Sequence, residues 1–271
     1  MVVNDGSTDS TKKILAEIFD SRLFVINTEN QGVSLARNTA LDFIKDKEHD
    51  SFITFIDADD YIEENYLETL YSMIVENNVD IACCSFTYKT SSLSKPYNQI
   101  NNDRRMTCFD ATRILIGDKT IQSHSPCKLY KKHLWDDIRY PKDIHWMEDQ
   151  ATIFKTFYSS KNGVFVSNYC GYHYWQEGTS ACRSAITNKK ILSTLFGYKV
   201  SCDYKFNDFT PEEQRSLKKS AYNAFAFAFL SILPWINRST MSMEEKQEFL
   251  EYKRFVRKNK IIKNCSPVSK K

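Results

Sequence analysis

The sequence predicts an α/β fold that is followed by a helical C-terminal region. Through about residue 90, segments with strand-like and helix-like spacing of apolar residues alternate, which is typical of a sheet packed against helices. The segment 51–56 is almost continuously apolar, as expected for a buried parallel strand. From residue 188 onward, apolar residues recur at helical spacing, so we expect the rest of the chain to be helical.

Each element is predicted from its own pattern of apolar and capping residues. Capping residues precede the first helical stripe, and a proline stands in the first turn of a later one. The predicted helices are 7–19, 31–44, 63–77, 148–158, 189–198, 211–233 and 243–258. The predicted strands are 22–26, 51–56, 80–88 and 163–166. The polar segment 89–105 is expected to be a loop or a domain edge.

Composition and charge exclude several classes of protein. The chain has 271 residues, and no apolar run reaches the roughly 18 residues that a membrane-spanning helix needs. The net charge is +3, but segment 251–271 holds eight Lys or Arg and one acid, which leaves the body mildly acidic. A general nucleic-acid platform is therefore not expected, and the basic tail is interpreted as solvated or as a contact for anionic lipid.

The N-terminus and the cysteines indicate a reducing compartment. The first residues lack the basic and apolar regions of a secretory signal, so we expect a cytoplasmic protein. The eight cysteines contain no C-x-x-C pair, and no histidine completes a zinc-ligand spacing. Reduced and mostly buried thiols are therefore expected.

Asp57 and Asp59 directly follow the apolar strand. In extended backbone, residues two apart project to the same side, so both carboxylates are expected to converge at the carboxyl end of the strand. Hard oxygen ligands of this kind suit Mg²⁺ or Mn²⁺ shared with a substrate diphosphate. The alternative is that Asp57, Asp59 and Asp60 only cap the following helix.

Two other polar residues stand at positions that indicate binding. Asp5 lies in the strand-to-helix turn 4–9, where it would accept from a base N–H or a ribose hydroxyl, or form an Asx-turn and N-cap. Arg37 falls inside the apolar stripe of helix 31–44, so its charge needs a partner. That partner is either a structural carboxylate or a ligand anion.

Two further groups are candidates for acid–base or metal chemistry. Glu148 and Asp149 precede a helical run, so either could be a general base, or both could stabilise the helix N-terminus. His173 lies in an aromatic run and would bind a metal or pack as a core imidazole; we favour packing.

Five segments, taken in order across about residues 1–180, resemble glycosyltransferase family 2, in particular bacterial enzymes of capsular and other cell-surface polysaccharide synthesis. They read VVNDGSTDS at 2–10, NQGVSLARN at 30–38, FIDADDYI at 55–62, CKLY at 127–130 and MEDQ at 147–150. The resemblance implies the GT-A fold, a Rossmann-like mixed sheet that binds a nucleotide-diphospho-sugar. Each segment is loose by itself, and the specificity comes from the five together.

The resemblance also implies a role for each motif residue. Asp5 would contact the uracil of a UDP-sugar, and Arg37 would lie near the base or diphosphate. Asp57 would face the ribose and sugar, and Asp59, in the D-x-D motif, would hold Mn²⁺ or Mg²⁺. Asp149 would deprotonate the hydroxyl of a glycan or lipid-linked saccharide acceptor. Such a transferase inverts the anomeric carbon in one displacement.

The resemblance sets the expected domain organisation. Residues 1–185 would be the GT-A domain, with nucleotide-sugar binding in 1–105 and the acceptor and catalytic part in 106–185. Residues 186–271 would be a helical region with a basic tail, and peripheral contact with the inner membrane face is a hypothesis for it. The family's first strand and helix have no counterpart before residue 2. This departure leads us to expect either an upstream start or a truncated, impaired enzyme.

Two alternatives stay open at this point. One is a non-catalytic remnant of such an enzyme. The other is a sugar nucleotidyltransferase, which also combines an α/β sheet with carboxylate-bound metal and would release pyrophosphate rather than UDP. The Glu148-Asp149 pair and the absence of a Gly-rich phosphate loop argue against the second.

Overall fold

The computed structural model describes residues 1–46, 50–97, 100–117, 120–142, 144, 146–176 and 185–261. Eight α-helices lie within these residues: α1 Thr11–Ala16, α2 Val33–Phe43, α3 Tyr66–Asn77, α4 Cys108–Gly117, α5 Glu148–Ser159, α6 Asn188–Asp203, α7 Pro211–Ile232 and α8 Met243–Lys258. The strands are β1 Val2–Asp5, β2 Val25–Thr28, β3 Phe52–Ile53, β4 Tyr61–Ile62, β5 Ile81–Cys83, β6 Phe86–Lys89, β7 Ser94–Tyr97, β8 Arg104–Met106, β9 Lys128–Lys131, β10 Val164–Val166 and β11 Tyr172–Trp175.

The strands form three sheets. Strands β1 and β2 pair in parallel, and a five-stranded sheet has the order β3-β9-β5-β10-β8. A four-stranded sheet has the order β4-β11-β6-β7. Parallel pairs (β5 with β10, β6 with β11) occur beside antiparallel ones, so both larger sheets are mixed. The chain passes between them directly after β5, where the Cys84 and Ser85 amides donate to the Cys127 and Tyr169 carbonyls.

One large hydrophobic core joins the sheet to the helical region. It contains Ile81 and Val164 of the five-stranded sheet together with Phe154 of α5, Leu195 of α6 and Phe225 of α7. A second cluster packs α3 against the other side of β5 and β9. The domain boundary at residue 185 stays a prediction. The large core contains residues from both sides of this position.

Capping differs between the helices: the N-cap residue of α1, where the sequence indicated capping, makes no side-chain cap hydrogen bond, whereas the N-cap residues of α6, α7 and α8 do. Helices α7 and α8 both begin with a capping box, in which a Thr210 or Ser242 hydroxyl accepts from the amide three residues on. The Glu213 and Glu245 carboxylates in turn accept from the N-cap amides. None of the described helices is long and apolar enough to cross a membrane.

Several sequence expectations are wrong in detail. The expected loop 89–105 contains β7 and β8, because edge strands pair through their main chain and need no apolar pattern. The expected strand 80–88 is two strands in two sheets, and the expected strand 51–56 keeps only two paired residues. Helix α4 and strands β9 and β11 were not predicted. The six cysteines in the described part are unpaired, whereas Cys182, Cys265 and residues 262–271 of the basic tail lie outside it.

Candidate active site

Arg37 of α2 is the centre of a cluster of charged side chains. Its Nη1 donates to Glu148 Oε1 at 3.0 Å and to Asp149 Oδ1 at 2.9 Å, and its Nη2 donates to Asp57 Oδ1 at 2.9 Å. The Arg37 side chain is only 11% exposed, so these carboxylates compensate the cost of burying the cation. One guanidinium and three carboxylates leave the cluster with an excess of negative charge.

Residues 57–60 form a turn that separates the neighbouring carboxylates. The Asp60 amide donates to the Asp57 carbonyl at 3.0 Å, so the extended geometry expected for Asp57 and Asp59 is wrong. The turn directs Asp57 to Arg37 and leaves Asp59 exposed. Within the part of the chain that the structure describes, the Asp59 carboxylate has no hydrogen bond or ion pair.

Tyr172 of β11 fixes this turn. Its hydroxyl accepts from the Asp57 amide at 3.2 Å and donates to Asp60 Oδ2 at 2.6 Å, while Asp60 Oδ1 accepts from the Trp175 amide at 2.8 Å. Burial, which outweighs these hydrogen bonds, raises the pKa of Asp60 to about 6, and the charges of Asp57 and Asp59 act in the same direction. The sequence does not indicate this contact, since Asp60 and Tyr172 are 112 positions apart.

Asp149 lies in the first turn of α5, and Ser125 holds both of its oxygens. The Ser125 hydroxyl donates to Oδ1 at 2.5 Å, and the Ser125 amide donates to Oδ2 at 3.1 Å. The Tyr140 hydroxyl lies 2.5 Å from Ser125 Oγ, so it donates to this oxygen when Ser125 donates to Asp149. Arg37 also donates to Oδ1, so Oδ1 accepts two hydrogen bonds and Oδ2 accepts one. Oδ2 is therefore the oxygen with a lone pair left for a substrate.

Lys128, in the CKLY segment, positions Ser125. Its side chain is 1% exposed, and its ammonium donates to the His124 carbonyl at 2.6 Å and the Pro126 carbonyl at 3.2 Å, on either side of Ser125. A buried ammonium needs such acceptors, so the bend at residues 124–127 is specified by Lys128. Sequence analysis missed Ser125 and Tyr140, and the motif that follows Ser125 is the only local signal that could have indicated it.

Glu148 has an altered ionisation equilibrium. Its side chain is 12% exposed, and burial together with the neighbouring Asp149 charge raises its pKa to about 7, against the opposing effect of Arg37. Glu148 and Asp149 differ in their partners: only Asp149 is held by Ser125. The site therefore contains one carboxylate with fixed orientation beside another that takes up a proton near neutral pH.

Helix α6 sets the position at which α5 begins. At Gly197, a Cβ atom would lie 2.9 Å from the Met147 carbonyl oxygen and 3.0 Å from Met147 Cβ. Met147 is the N-cap of α5 and has a φ of 63°, in the left-handed region. Only a glycine at 197 allows this approach, so the start of α5 rests on the backbone of the helical region.

Asp5 is engaged by the chain itself. Its Oδ1 accepts from the Gln31 amide at 2.9 Å and the Thr28 hydroxyl at 3.1 Å, and its Oδ2 accepts from the Gly32 amide at 2.7 Å. The carboxylate thus satisfies amides at the N-terminus of α2, and not the turn 4–9 and the helix after it, where the Asx-turn and N-cap alternative placed it. Its nucleotide contact stays a prediction.

His173 packs as the sequence analysis favoured. Its Nε2 lies 2.6 Å from Glu63 Oε1, and its ring stacks on Tyr61 at a centroid distance of 4.6 Å. Among the described residues, no three His, Cys, Asp or Glu side chains are grouped to hold a metal. The exposed carboxylate of Asp59 still fits Mg²⁺ or Mn²⁺, because these ions take one or two protein carboxylates when substrate phosphates and water complete the shell.

Comparisons with known proteins identify the family. The model of Glycosyl transferase family 2 matches residues 1–139. The glycosyltransferase GlyA of Streptococcus pneumoniae is 33% identical over 184 residues, which are 64% of this chain and 26% of GlyA. EpsH of Bacillus subtilis, named a putative glycosyltransferase, is 27% identical over 184 residues, or 64% of this chain and 51% of EpsH.

A solved structure shares the fold. Staphylococcus aureus TarS 1–349 in complex with UDP-GlcNAc superposes with a TM-score of 0.69 and 20% identity, covering 92% of this chain and 69% of that one. TarS is named a poly(ribitol-phosphate) β-N-acetylglucosaminyltransferase. The matched part of the chain spans about a quarter of the length of GlyA and about half of the length of EpsH. The expected GT-A fold is confirmed, and the chain belongs to glycosyl transferase family 2.

Proposed function

We propose that this chain transfers a sugar from a nucleotide-sugar, specifically a UDP-sugar, to an acceptor hydroxyl in cell-surface polysaccharide synthesis. The observation that carries the proposal is the carboxylate cluster: Asp149 is held at the start of α5, next to Arg37 and Asp57, while Asp59 is exposed on the adjacent turn. The names of GlyA and TarS support the reaction class. The solved TarS complex with UDP-GlcNAc supports the donor class.

The donor would bind on the side of Asp5, Arg37 and Asp57. Arg37 uses three N–H bonds for carboxylates, and a guanidinium has five, so two remain for a phosphate or base oxygen. Asp5 would have to share its carboxylate between the α2 amides and a uracil N–H. Asp57 would accept from a donor hydroxyl with the oxygen that Arg37 leaves free.

Asp59 would hold Mg²⁺ or Mn²⁺, which would supply positive charge to the leaving diphosphate. Its exposure and its lack of a partner among the described residues make it the one carboxylate of the turn that is ready for this role. Asp57 and Asp60 are both committed to protein donors, namely Arg37 and the Tyr172–Trp175 pair.

The chemical step is one inverting displacement. Asp149 Oδ2 accepts the proton of the acceptor hydroxyl while the acceptor oxygen forms a bond to the anomeric carbon on the face opposite the diphosphate. The bond between the anomeric carbon and the diphosphate oxygen breaks, and its electron pair leaves with UDP. Ser125 and Arg37 orient the Asp149 carboxylate through hydrogen bonds, so it is positioned to act as the base.

The test measures UDP release and sugar transfer from UDP-sugars with Mn²⁺ and saccharide acceptors. Asp149→Asn should reduce turnover at least about a hundredfold, since a general base contributes that much. Asp59→Ala should cause a loss of at least about the same size, because the leaving diphosphate would lose the positive charge of the metal. Asp46→Asn, which changes an exposed aspartate without a partner in the described region, is the matched control. Near wild-type turnover of Asp149→Asn would contradict the proposal, and pyrophosphate release from UTP and a sugar phosphate would indicate a nucleotidyltransferase instead.

We also propose that the helical region contacts the membrane face, where a lipid-linked acceptor would lie. The C-terminal end of α7 and the turn after it expose four large apolar side chains: Phe227, Leu230, Leu233 and Trp235. Such an apolar stripe suits insertion at the boundary of a membrane surface. Flotation with anionic vesicles that Phe227→Ser/Leu230→Ser abolishes would support this contact, and a wild-type chain that stays unbound would contradict it.

A further inference from the structure

A cavity in the helical region contains none of the residues of the candidate active site. It has a volume of about 500 Å³ and lies between the segment after α6, the N-terminal half of α7 and the C-terminal end of α8. Among the residues that the structure describes, its lining includes Lys205, Arg215, Lys218 and Lys219 and no Asp or Glu. Four cations therefore converge on one cavity, with no acidic partner in its described lining.

One of the four cations has a structural role. Lys218 donates to the Tyr204 carbonyl at 2.8 Å and to the Cys202 carbonyl, so its ammonium satisfies acceptors at the C-terminal end of α6. Burial lowers its pKa, which means that the ammonium is incompletely compensated where it lies. Asp203, whose charge acts on Lys218, is itself paired with Lys199.

The other three cations are available to a ligand. Lys205, Arg215 and Lys219 are exposed and form no ion pair with any described residue. Their positions favour joint action, because residues 215 and 219 are one turn apart on α7 and lie on the same face of the helix. Like charges at this spacing repel each other, so an anion that binds between them is favoured.

The remaining lining adds neutral donors and an aromatic wall. The side-chain amides of Asn207 and Asn223 have no hydrogen-bond partner in the part of the chain that the structure describes. Phe206 and Tyr222 line the same cavity. Guanidinium, ammonium and amide groups together match an anion with several oxygens and more than one negative charge, whereas a single carboxylate would satisfy only one cation.

We propose that this cavity is a binding site for a phosphate-bearing group, separate from the donor site and independent of the proposed transfer reaction. The ligand would place its phosphate oxygens against Lys205, Arg215 and Lys219, with Asn207 and Asn223 as further donors. The same chemistry is offered by a soluble phosphate or diphosphate and by the headgroup of an anionic phospholipid.

The experiment measures binding of inorganic pyrophosphate by calorimetry at low salt, without divalent metal. Binding should weaken about tenfold or more in Lys205→Gln/Arg215→Gln/Lys219→Gln, since each charge-assisted contact contributes on that order. The matched control is Lys12→Gln/Lys13→Gln/Lys246→Gln, which removes the same charge from exposed positions elsewhere. It should bind like the wild type.

A second arm separates the two sources of phosphate. Vesicles of phosphatidylcholine with about a third phosphatidylglycerol are compared with pure phosphatidylcholine, since anionic headgroups attract basic sites. Pyrophosphate binding that depends on the three cations supports a soluble ligand, and vesicle binding alone with the same dependence supports a lipid headgroup. The proposal is overturned if neither probe binds or if both triple variants weaken binding equally. It is also overturned if the cavity variant binds pyrophosphate as tightly as the wild type, because pyrophosphate would then bind elsewhere, for example at Arg37.

Discussion

Two charged regions of this molecule are unbalanced in opposite directions. Around Arg37, one buried guanidinium meets three carboxylates, and a further carboxylate, Asp59, is exposed nearby. In the cavity of the helical region, four cations converge, and no described residue of the lining is acidic. The sign of the excess matches the ligand that we propose for each region: a divalent cation with its phosphates at the first, and an anion at the second. The guanidinium of the first region is buried, whereas three of the four cations of the second are exposed. We therefore expect the fold to depend on the first region.

The largest effect is expected from removing the cation of the first region. Arg37→Met leaves Asp57, Glu148 and Asp149 without their shared partner, two of them mostly buried. Breaking a buried ion pair from one side costs about 3–5 kcal/mol, so the free energy of unfolding in urea at pH 7 should fall by that amount. Part of the loss should return at pH 5, where carboxylates take up protons. Arg22→Met, at an exposed ion pair, is the control and should have little effect.

If Arg37→Met is as stable as the wild type at pH 7, the carboxylates around Arg37 are solvated. The two charged regions would then not differ in how much the fold depends on them.

A smaller effect is expected when Asp149 loses its orientation but keeps its charge. Ser125→Ala removes one donor from Oδ1 and leaves the Tyr140 hydroxyl without its acceptor. If Asp149 is the base, kcat should fall about tenfold, or 1.4 kcal/mol, with little change in the KM for the donor. Ser125→Thr should restore most of the rate. A loss confined to KM, or a Thr variant as slow as Ala, would assign Ser125 to substrate binding or to packing.

Glu148→Gln should change how stability depends on pH. The folded-state pKa of Glu148 is raised to about 7 from an ordinary value of 4.5. As the pH rises from about 4.5 to about 7, the unfolded chain loses this proton before the folded chain does, so the free energy of unfolding of the wild type falls. The variant lacks this contribution. Urea titrations at pH 4.5 and 8 should therefore show the variant gaining stability relative to the wild type at the higher pH, and an unchanged difference would disprove the raised pKa.

The smallest effect is expected in the second region. Lys205→Gln/Arg215→Gln/Lys219→Gln removes exposed cations that pair with no described residue, so the free energy of unfolding should change by less than about 0.5 kcal/mol. Any change should be a gain at low salt, where repulsion between the cations is strongest. A large loss in a urea titration would mean that these side chains are structural, which would remove the contrast with Arg37.

Local patterns in the sequence predicted those parts of the fold that local physics decides. Helical spacing, with a proline in the first turn of the earlier helix, predicted 211–233 and 243–258, and α7 and α8 have nearly these bounds. Strand β7 escaped prediction because its polar residues pair with β6 through the main chain. The turn at residues 57–60 escaped because its geometry depends on Tyr172, which belongs to a strand more than a hundred positions away.

The site divides in the same way. Arg37 could be identified because a charge inside an apolar stripe requires a partner. The sequence could not predict that this one cation contacts carboxylates from two distant segments. Asp57, Asp59 and Asp149 were identified as motif residues, and their assigned roles stay predictions. Ser125 and Tyr140 have no pattern of their own, since what matters is the approach in space of Ser125 to Asp149 and of Tyr140 to Ser125.

Gly197 has a consequence for how the two halves of the chain depend on each other. The contact between α6 and the N-cap of α5 involves neither charge nor hydrogen bonding at this point; it is a limit on available volume. The helical region therefore constrains the position of Asp149 by shape alone, and adding a single methyl group at residue 197 would displace the start of α5. Replacing a helical glycine by alanine ordinarily stabilises a helix. At residue 197 the same change would displace Asp149 instead of stabilising the protein.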